Sequence, residues 1–374
     1  MATRVTPRSW QEHLFCVIFV LSVICFFLIY KYPQWFVAEE QIVDYFYWLG
    51  KSTSFWYATV YSGFVCGLSL WVLKRNRSPY SGVKKPLSQY QRRKFLSIFF
   101  AQLICFYFVP FILPEFLDNK PFFSDPYKPT DKDAYIYVYN GFLSASGFLY
   151  VFVLVPLTVW YFGKRYCSWF CSCGNLAEVV GATPIGNRWV KQYTPRSEGA
   201  RKLEWLQYAV LCFALFFGAI MLLHGLEIIS APRLVDSLRE IQDLSIDLMF
   251  GALIGVGAYP FLGTRIWCRY GCPLAGMMRL FGKFSRSRFA VVTHKTCRGF
   301  NLCSKQCPMG IDVAKYAHKD RKPLEGEFGL NNSPCIGCGG CVDICPVKAL
   351  SFKKILNPHN LSPSPQVSKH HKSV

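Results

Sequence analysis

Residues 163–181 read GKRYCSWFCSCGNLAEVVG, and residues 263–282 read GTRIWCRYGCPLAGMMRLFG. Each runs glycine, a basic residue, an aromatic residue and Cys-x3-Cys, and each reaches another glycine ten positions on, at Gly181 and Gly282. The pairs are Cys167 with Cys171, and Cys268 with Cys272. A long apolar segment precedes each pair, so the chain carries a duplicated unit over 140–182 and 246–283. In a helix, Cys-x3-Cys sets two thiols on one face. Two thiols do not complete a metal site, but two repeated pairs supply four. These four meet if the preceding segments pack as pseudo-symmetric partners. The alternative is that each pair is a redox-active dithiol or interfacial packing. Cys173 has no counterpart in the second unit and reads as a small buried side chain.

The apolar segments extend along the chain. The 374 residues are 52% hydrophobic and 17% aromatic, with a formal charge of +20. A soluble chain this basic would point to nucleic acid. Here the apolar residues come in blocks and the mean hydropathy is +0.21, so the reading is a membrane protein in contact with lipid, with no nucleic-acid partner. A crossing helix needs about 20 mostly apolar residues. Six segments qualify: 13–30, 54–73, 95–114, 142–162, 205–224 and 246–263. Residues 74–94, KRNRSPYSGVKKPLSQYQRRK, hold eight Lys/Arg and no acid, and the stretches after the fourth and sixth segments are also basic. The other loops hold most of the acids, among them Glu39, Glu40, Asp44, Asp118, Asp131, Glu227, Asp236 and Glu240. Basic loops stay on the cytoplasmic side. Both termini are then expected in the cytoplasm, with the protein multi-pass in the inner (plasma) membrane.

Twelve of the seventeen cysteines fall in four tight groups, all on the expected cytoplasmic side. Metal thiolates are favoured over disulfides there. Beyond about residue 285 the chain becomes polar and rich in Gly, Pro and Cys. CIGCGGCVDICP starts at Cys335 and contains Cys338, Cys341 and Cys345, the Cys-x2-Cys-x2-Cys-x3-Cys-Pro run of an iron–sulfur site. Gly337, Gly339 and Gly340 let the backbone approach a cluster and turn N–H groups toward its sulfides. CRGFNLCSKQCP, from Cys297, repeats the spacing through Cys303 and Cys307, but Phe300 stands where a fourth cysteine belongs.

Together the two runs resemble a two-cluster bacterial ferredoxin domain. The crossed wiring of such domains implies that Cys335, Cys338, Cys341 and Cys307 hold one complete [4Fe–4S] cluster. Cys297, Cys303 and Cys345 are left for the other. Three thiolates suit a [3Fe–4S] cluster, or a [4Fe–4S] cluster whose last iron takes water, an outside ligand or a non-cysteine side chain. His294 is a long-shot substitute ligand; an exposed loop histidine is the plainer reading.

The whole arrangement resembles the NapH/NosR/CcoG-type membrane polyferredoxins, over roughly residues 140–355. The family motif is Cys-x3-Cys-Pro. Cys268, Cys272 and Pro273 match it, whereas Ser172 replaces the proline after Cys167 and Cys171. The apolar segments, the cysteine runs and the polar tail together predict a mainly α fold: a polytopic membrane helix bundle of about six spans over 1–284, a small α+β ferredoxin-like domain over 285–355, and a disordered tail over 356–374. The resemblance implies electron transfer. NapH-like members oxidise quinol and pass electrons to redox partners; CcoG-like members are linked to copper handling in oxidase assembly. The first reading is therefore an electron-transfer subunit of an oxidoreductase, working with quinone or partner proteins rather than as a stand-alone enzyme. A reductant in copper or cytochrome oxidase assembly and an iron–sulfur redox sensor are the alternatives.

Other candidates read as bland. Glu178 could accept protons, but a solvated helix face is the simpler expectation. His224, at the outer end of the fifth segment, could meet a quinone headgroup, against an ordinary interfacial histidine. Cys16, Cys25, Cys66, Cys105 and Cys212 read as packing residues within spans. His370 and His371 read as solvated.

Overall fold

The computed structural model describes residues 8–31, 49, 51, 53–80, 85–113, 116, 149–190, 193–225, 227–229, 232–284, 289–319 and 322–353. The acidic residues Glu39, Glu40, Asp44, Asp118 and Asp131, and the tail with His370 and His371, lie outside them. The described chain is mostly helical, with a small sheet near its C-terminal end.

The apolar blocks form helices because a run without charges can satisfy its backbone only within itself when it leaves water. Helix α1 spans Trp10–Lys31, α2 Thr53–Arg75 and α3 Gln89–Phe100. Ser88 caps α3 by accepting from the Gln91 N–H. Helix α3 continues as a wider π-type helix over Ala101–Ile112, around Pro110, which has no N–H to give the regular ladder. The fourth predicted segment is helical from Leu149, ending in α4, Val155–Phe162. Helix α5 spans Ser172–Ala182, α6 Leu206–Gly225 and α7 Pro232–Ile241, the last running on as a π-type helix over Gln242–Gly257. Helix α8, Pro273–Phe284, follows the second cysteine pair. Three described helices are long and apolar enough to cross a membrane: Phe55–Arg75, Gln89–Ile112 and Glu198–Ile220. A shorter apolar helix covers Trp10–Phe26. Helix α2 packs along α3 and its continuation, α6 along α8, and α1 along Gln242–Gly257.

The C-terminal unit is built on an antiparallel sheet of order β4-β1-β5, with β1 Ala290–Thr293, β4 Glu327–Gly329 and β5 Leu350–Phe352. Val291 lies opposite Phe328 on one side and Phe352 on the other. Between β1 and β4 come α9, Leu302–Gln306, α10, Ala314–Ala317, and the small hairpin of β2, His318–Lys319, with β3, Lys322–Pro323. Helix α11, Gly340–Ile344, precedes β5. This unit is docked on the helices. Lys85 donates to the Asp343 carbonyl at 2.7 Å, Gln91 to the Cys338 carbonyl at 3.1 Å, and Ser168 to the Ile336 carbonyl at 2.7 Å. Ser78 and Tyr90 donate to the Asp343 carboxylate and the Gly337 carbonyl.

Candidate metal centre

The two repeated units fold alike. The helix before each pair ends at a glycine in the left-handed region, Gly163 (φ 63°) and Gly263 (φ 83°), which stops a helix at little steric cost. One helical turn then carries the first cysteine, Cys167 or Cys268. The second cysteine does not continue that helix, as the Cys-x3-Cys spacing had suggested. Cys171 (ψ 130°) and Cys272 (ψ 116°) are extended and sit immediately before α5 and α8. The Cys171 N–H donates to the Tyr166 carbonyl at 2.9 Å and the Cys272 N–H to the Trp267 carbonyl at 2.8 Å. Each break thus puts a cysteine at the positive end of a following helix.

The breaks bring the pairs together. Cys167 feels the charges of Cys268 and Cys171, and Cys272 those of Cys268, Cys167 and Cys171. Burial pushes the Cys167 thiol up to about 12 and raises that of Cys272. Cys171 falls to about 7, first through a hydrogen bond from the Cys173 thiol. Cys173 is half-buried and serves its neighbour.

Beside these thiols lies a buried ion cluster. Glu178 on α5 pairs with Lys94 at 2.7 Å and with Arg265, while the Tyr80 hydroxyl donates to it at 3.2 Å. The expectation of a solvated Glu178 is therefore corrected: its side chain is 4% exposed. Burial alone would raise its pKa, but Lys94 and Arg265 hold it at about 2. Arg265 donates to the Cys167 carbonyl at 2.8 Å and approaches the Cys268 sulfur at 3.6 Å. Lys94 also donates to the Cys338 carbonyl at 3.2 Å. A continuous polar chain, Cys338–Lys94–Glu178–Arg265–Cys268, links the repeats to the C-terminal unit.

In that unit, Cys307, Cys335, Cys338 and Cys341 line one cavity with Val291, Met309, Ile311, Val313, Phe328 and Ile336. Gly337 (φ 63°) and Gly339 (φ 77°) turn the loop between the thiols, a conformation that disfavours any side chain there. Backbone N–H groups of Gly337, Gly340, Met309 and Ile311 point at Cys335, Cys338 and Cys307. Burial raises Cys335 to about 12 and Cys307 to about 11, and lifts Cys338 and Cys341 as well. A metal must therefore displace their protons. Among the described residues no three His, Cys, Asp or Glu side chains converge tightly enough for a single metal ion. The thiols instead surround a cavity, as the corners of a multi-iron group require. The donor set, the N–H groups aimed at sulfur and the dry lining fit an iron–sulfur cluster.

The other three cysteines of the unit also lie together. Cys303 feels the charges of Cys297 and Cys345, although burial is the larger reason for its rise to about 11. Ala349 N–H donates to the Cys345 sulfur at 3.2 Å. Phe300 is 55% exposed. His294 is half-buried, with Nε2 2.7 Å from the Ser351 hydroxyl. It is His318, which sequence reasoning passed over, whose Nε2 stands 3.2 Å from the Cys297 sulfur.

Comparisons with known proteins agree with this layout. A family model described as a 4Fe-4S dicluster domain matches residues 290–347. A second, described as a 4Fe-4S binding domain, matches twice, over 146–191 and 244–291. The chain is 23% identical to the ferredoxin-type protein NapH of Haemophilus influenzae, over 50% of this chain and 62% of that protein. It is 26% identical to YccM of Escherichia coli, over 53% and 52% of the two chains. The methylamine utilization ferredoxin-type protein MauN of Methylobacillus flagellatus is 22% identical, over 46% and 58%. This chain is similar to NapH-type ferredoxin proteins over about half of its length. It spans about half to under two thirds of the length of these relatives. No solved structure matches it.

The remaining candidates are placed as follows. His224 Nδ1 is 3.0 Å from the Ile229 carbonyl. Cys16 and Cys66 are buried, with Arg8 donating to the Cys16 sulfur at 2.9 Å; Cys25, Cys105 and Cys212 are exposed on the helix surfaces. Sequence reasoning missed Lys94, Arg265 and His318. Arg265 carried a signal, the basic residue before the cysteine in both repeats. His318 lies outside every motif and carried none.

Proposed function

We propose that this chain is a membrane-bound iron–sulfur electron-transfer protein, relaying electrons between a cytoplasmic or quinone pool and a redox partner. In this reading it works as the subunit of an oxidoreductase rather than alone. Residues 1–284 form the membrane part, with six spans and both termini cytoplasmic, and 285–355 form the ferredoxin-like part. Cys307, Cys335, Cys338 and Cys341 hold a [4Fe–4S] cluster; Cys297, Cys303 and Cys345 hold a second cluster; Cys167, Cys171, Cys268 and Cys272 form a further site at the membrane edge.

The observation that carries the reading is a shared interior. One buried core contains Cys167 and Cys272 together with Cys307, Cys335, Cys341 and Cys345. Sites embedded in one apolar core are joined by continuous packing, as a relay needs. Thiolate-bound clusters supply one-electron transfer with little rearrangement of their ligands. The chain's own residues supply the setting. Arg265 and Lys94 place positive charge beside thiols that bear negative charge once metallated, and Glu178 fixes both cations in place. The N–H groups at Cys335, Cys338 and Cys307 stabilise charge on sulfur.

The test is anaerobic purification in detergent, iron and sulfide analysis, and EPR before and after a quinol analogue and then dithionite. Two clusters, at least one reduced by the quinol analogue, support the relay. Iron beyond them that is lost in Cys167→Ser/Cys268→Ser, with the ferredoxin signals intact, supports the membrane-edge site. A single [4Fe–4S] cluster with no further metal sinks the relay.

A further inference from the structure

We propose that His318 replaces the missing cysteine as the fourth protein ligand of the second cluster, making that site three thiolates and one imidazole. The inference rests on the reading that Cys297, Cys303 and Cys345 hold a cluster. Position 300 cannot supply a ligand: it is phenylalanine and its side chain is turned to solvent. The turn beside it carries another candidate. The His318 ring lies against the same turn, with Cε1 and Nε2 each 3.7 Å from where a Cβ on Gly299 would stand. Its Nε2 is 3.2 Å from the Cys297 sulfur. The leading edge of the imidazole, the end that binds metal, thus faces the turn that lost its cysteine.

The backbone fixes that approach. His318 follows α10 directly and pairs with Pro323 across the β2–β3 hairpin, and the Leu324 N–H holds the Ala317 carbonyl at 2.7 Å. Ala317 is buried. The main chain is anchored on both sides while the ring keeps its own torsions, so the imidazole can turn from the Cys297 sulfur onto an iron at the open corner. Neutral imidazole offers one lone pair and is a common partner of thiolates at iron. His294, the other histidine near the site, is directed at the Ser351 hydroxyl on β5. A three-thiolate site open to solvent would expose an iron to exchange; an imidazole closes it.

The experiment uses full-length protein purified anaerobically, labelled with 15N-histidine, and read by pulsed EPR on the reduced second cluster. Strong, directly bonded nitrogen coupling is expected in the wild type. His318→Ala should abolish it, release about one iron per chain and produce an oxidised [3Fe–4S] signal. His318→Cys should keep the iron and lose the coupling, which holds the test open if the alanine variant folds poorly. An unchanged iron content and spectrum in His318→Ala overturns the proposal, as does weak coupling alone, which would make His318 only a hydrogen-bond donor to Cys297. Iron for one cluster only, with no second EPR species in any variant, overturns instead the two-cluster reading beneath it.

Discussion

Glu178 decides how much charge the interior between the two sets of cysteines can carry. It is the carboxylate that faces both Lys94 and Arg265, each essentially fully buried. Glu178→Ala leaves two buried cations without their partner, which costs on the order of 3–5 kcal/mol. Glu178→Gln keeps the shape but loses the charge, and should fall between wild type and Glu178→Ala in thermal unfolding. The sign with pH follows from a carboxyl held at about 2 against an ordinary 4.5. A depressed carboxyl stabilises the fold fully above its unfolded value, and the effect fades as pH falls from about 4.5 toward 2. The wild-type advantage over Glu178→Gln should therefore be flat across about pH 6 to 8, and a slope there would place the charge elsewhere. Phe300 gives the second residue-scale prediction. Phe300→Cys adds a thiolate where the wild type has none, and thiolate donates more charge to iron than imidazole does. The second cluster's midpoint should move to lower potential in a redox titration, since histidine ligation raises it. An unmoved midpoint would mean residue 300 does not reach the iron. The missing ligand at 300 was legible in the sequence because Phe300 breaks a spacing. The charge at Glu178 and the imidazole of His318 were not, because pairing across residues 84 apart in the chain, as between Lys94 and Glu178, leaves no local pattern.

At the scale of elements, the repeat was legible and its conformation was not. The spacing alone allows one continuous helix through both cysteines, yet each unit breaks at the second. In the second unit Pro273 explains the break, since the residue before a proline avoids the helical region. In the first unit Ser172 stands at the same place and Cys171 is extended all the same. There the Cys171 carbonyl accepts the first bond of α5, from the Asn175 N–H at 2.7 Å, and Tyr61 of α2 donates to the Ser172 carbonyl at 3.0 Å. Ser172 is then at the first position of α5, where a proline fits. Ser172→Pro loses the bond from its hydroxyl to Gln102 at 3.1 Å and gains a stiffer unfolded chain, worth about 0.4–1 kcal/mol. The two roughly cancel, so the unfolding midpoint and metal content should stay close to wild type. Loss of folding would show that Cys171 needs a conformation proline forbids. The repeated arginines show how one element came to serve two sites. Arg265 reaches the Cys268 sulfur, whereas Arg165 lies over the Phe289 ring at 4.0 Å, against the loop of Cys335.

For the whole molecule, the open question is how many helices cross the bilayer. Length decides it physically: at 1.5 Å per residue, a core of about 30 Å takes about 20 residues. The helices ending at Arg75, Ile112 and Ile220 satisfy this by length and composition. Leu149–Phe162 is too short by itself, and its partner residues 142–148 lie outside the described chain. The sixth segment is broken at Ala258, between Gln242–Gly257 and Tyr259–Leu262. The charge pattern nevertheless argues for crossings here. The basic 74–94 stretch and the first cysteine unit pack on the C-terminal unit through Lys85, Gln91, Lys94 and Ser168, and the second unit through Gly282 against Leu330 and Arg269 against Gly310, so all three share a side. In the proposed topology Gln89–Ile112 and Leu206–Gly225 carry the chain away from that side, and the fourth and sixth segments return it before the next cysteine pair. Two crossings each time, together with α1 and α2, make up the six spans proposed. Reporter fusions check this. A cytoplasm-active reporter should work at position 84 and after 353, and an export-dependent one at positions 40, 125 and 228. Activity of the export-dependent reporter at 84 would break the alternation at the second segment, and activity of the cytoplasmic one at 228 would return the fifth and sixth segments to the membrane surface.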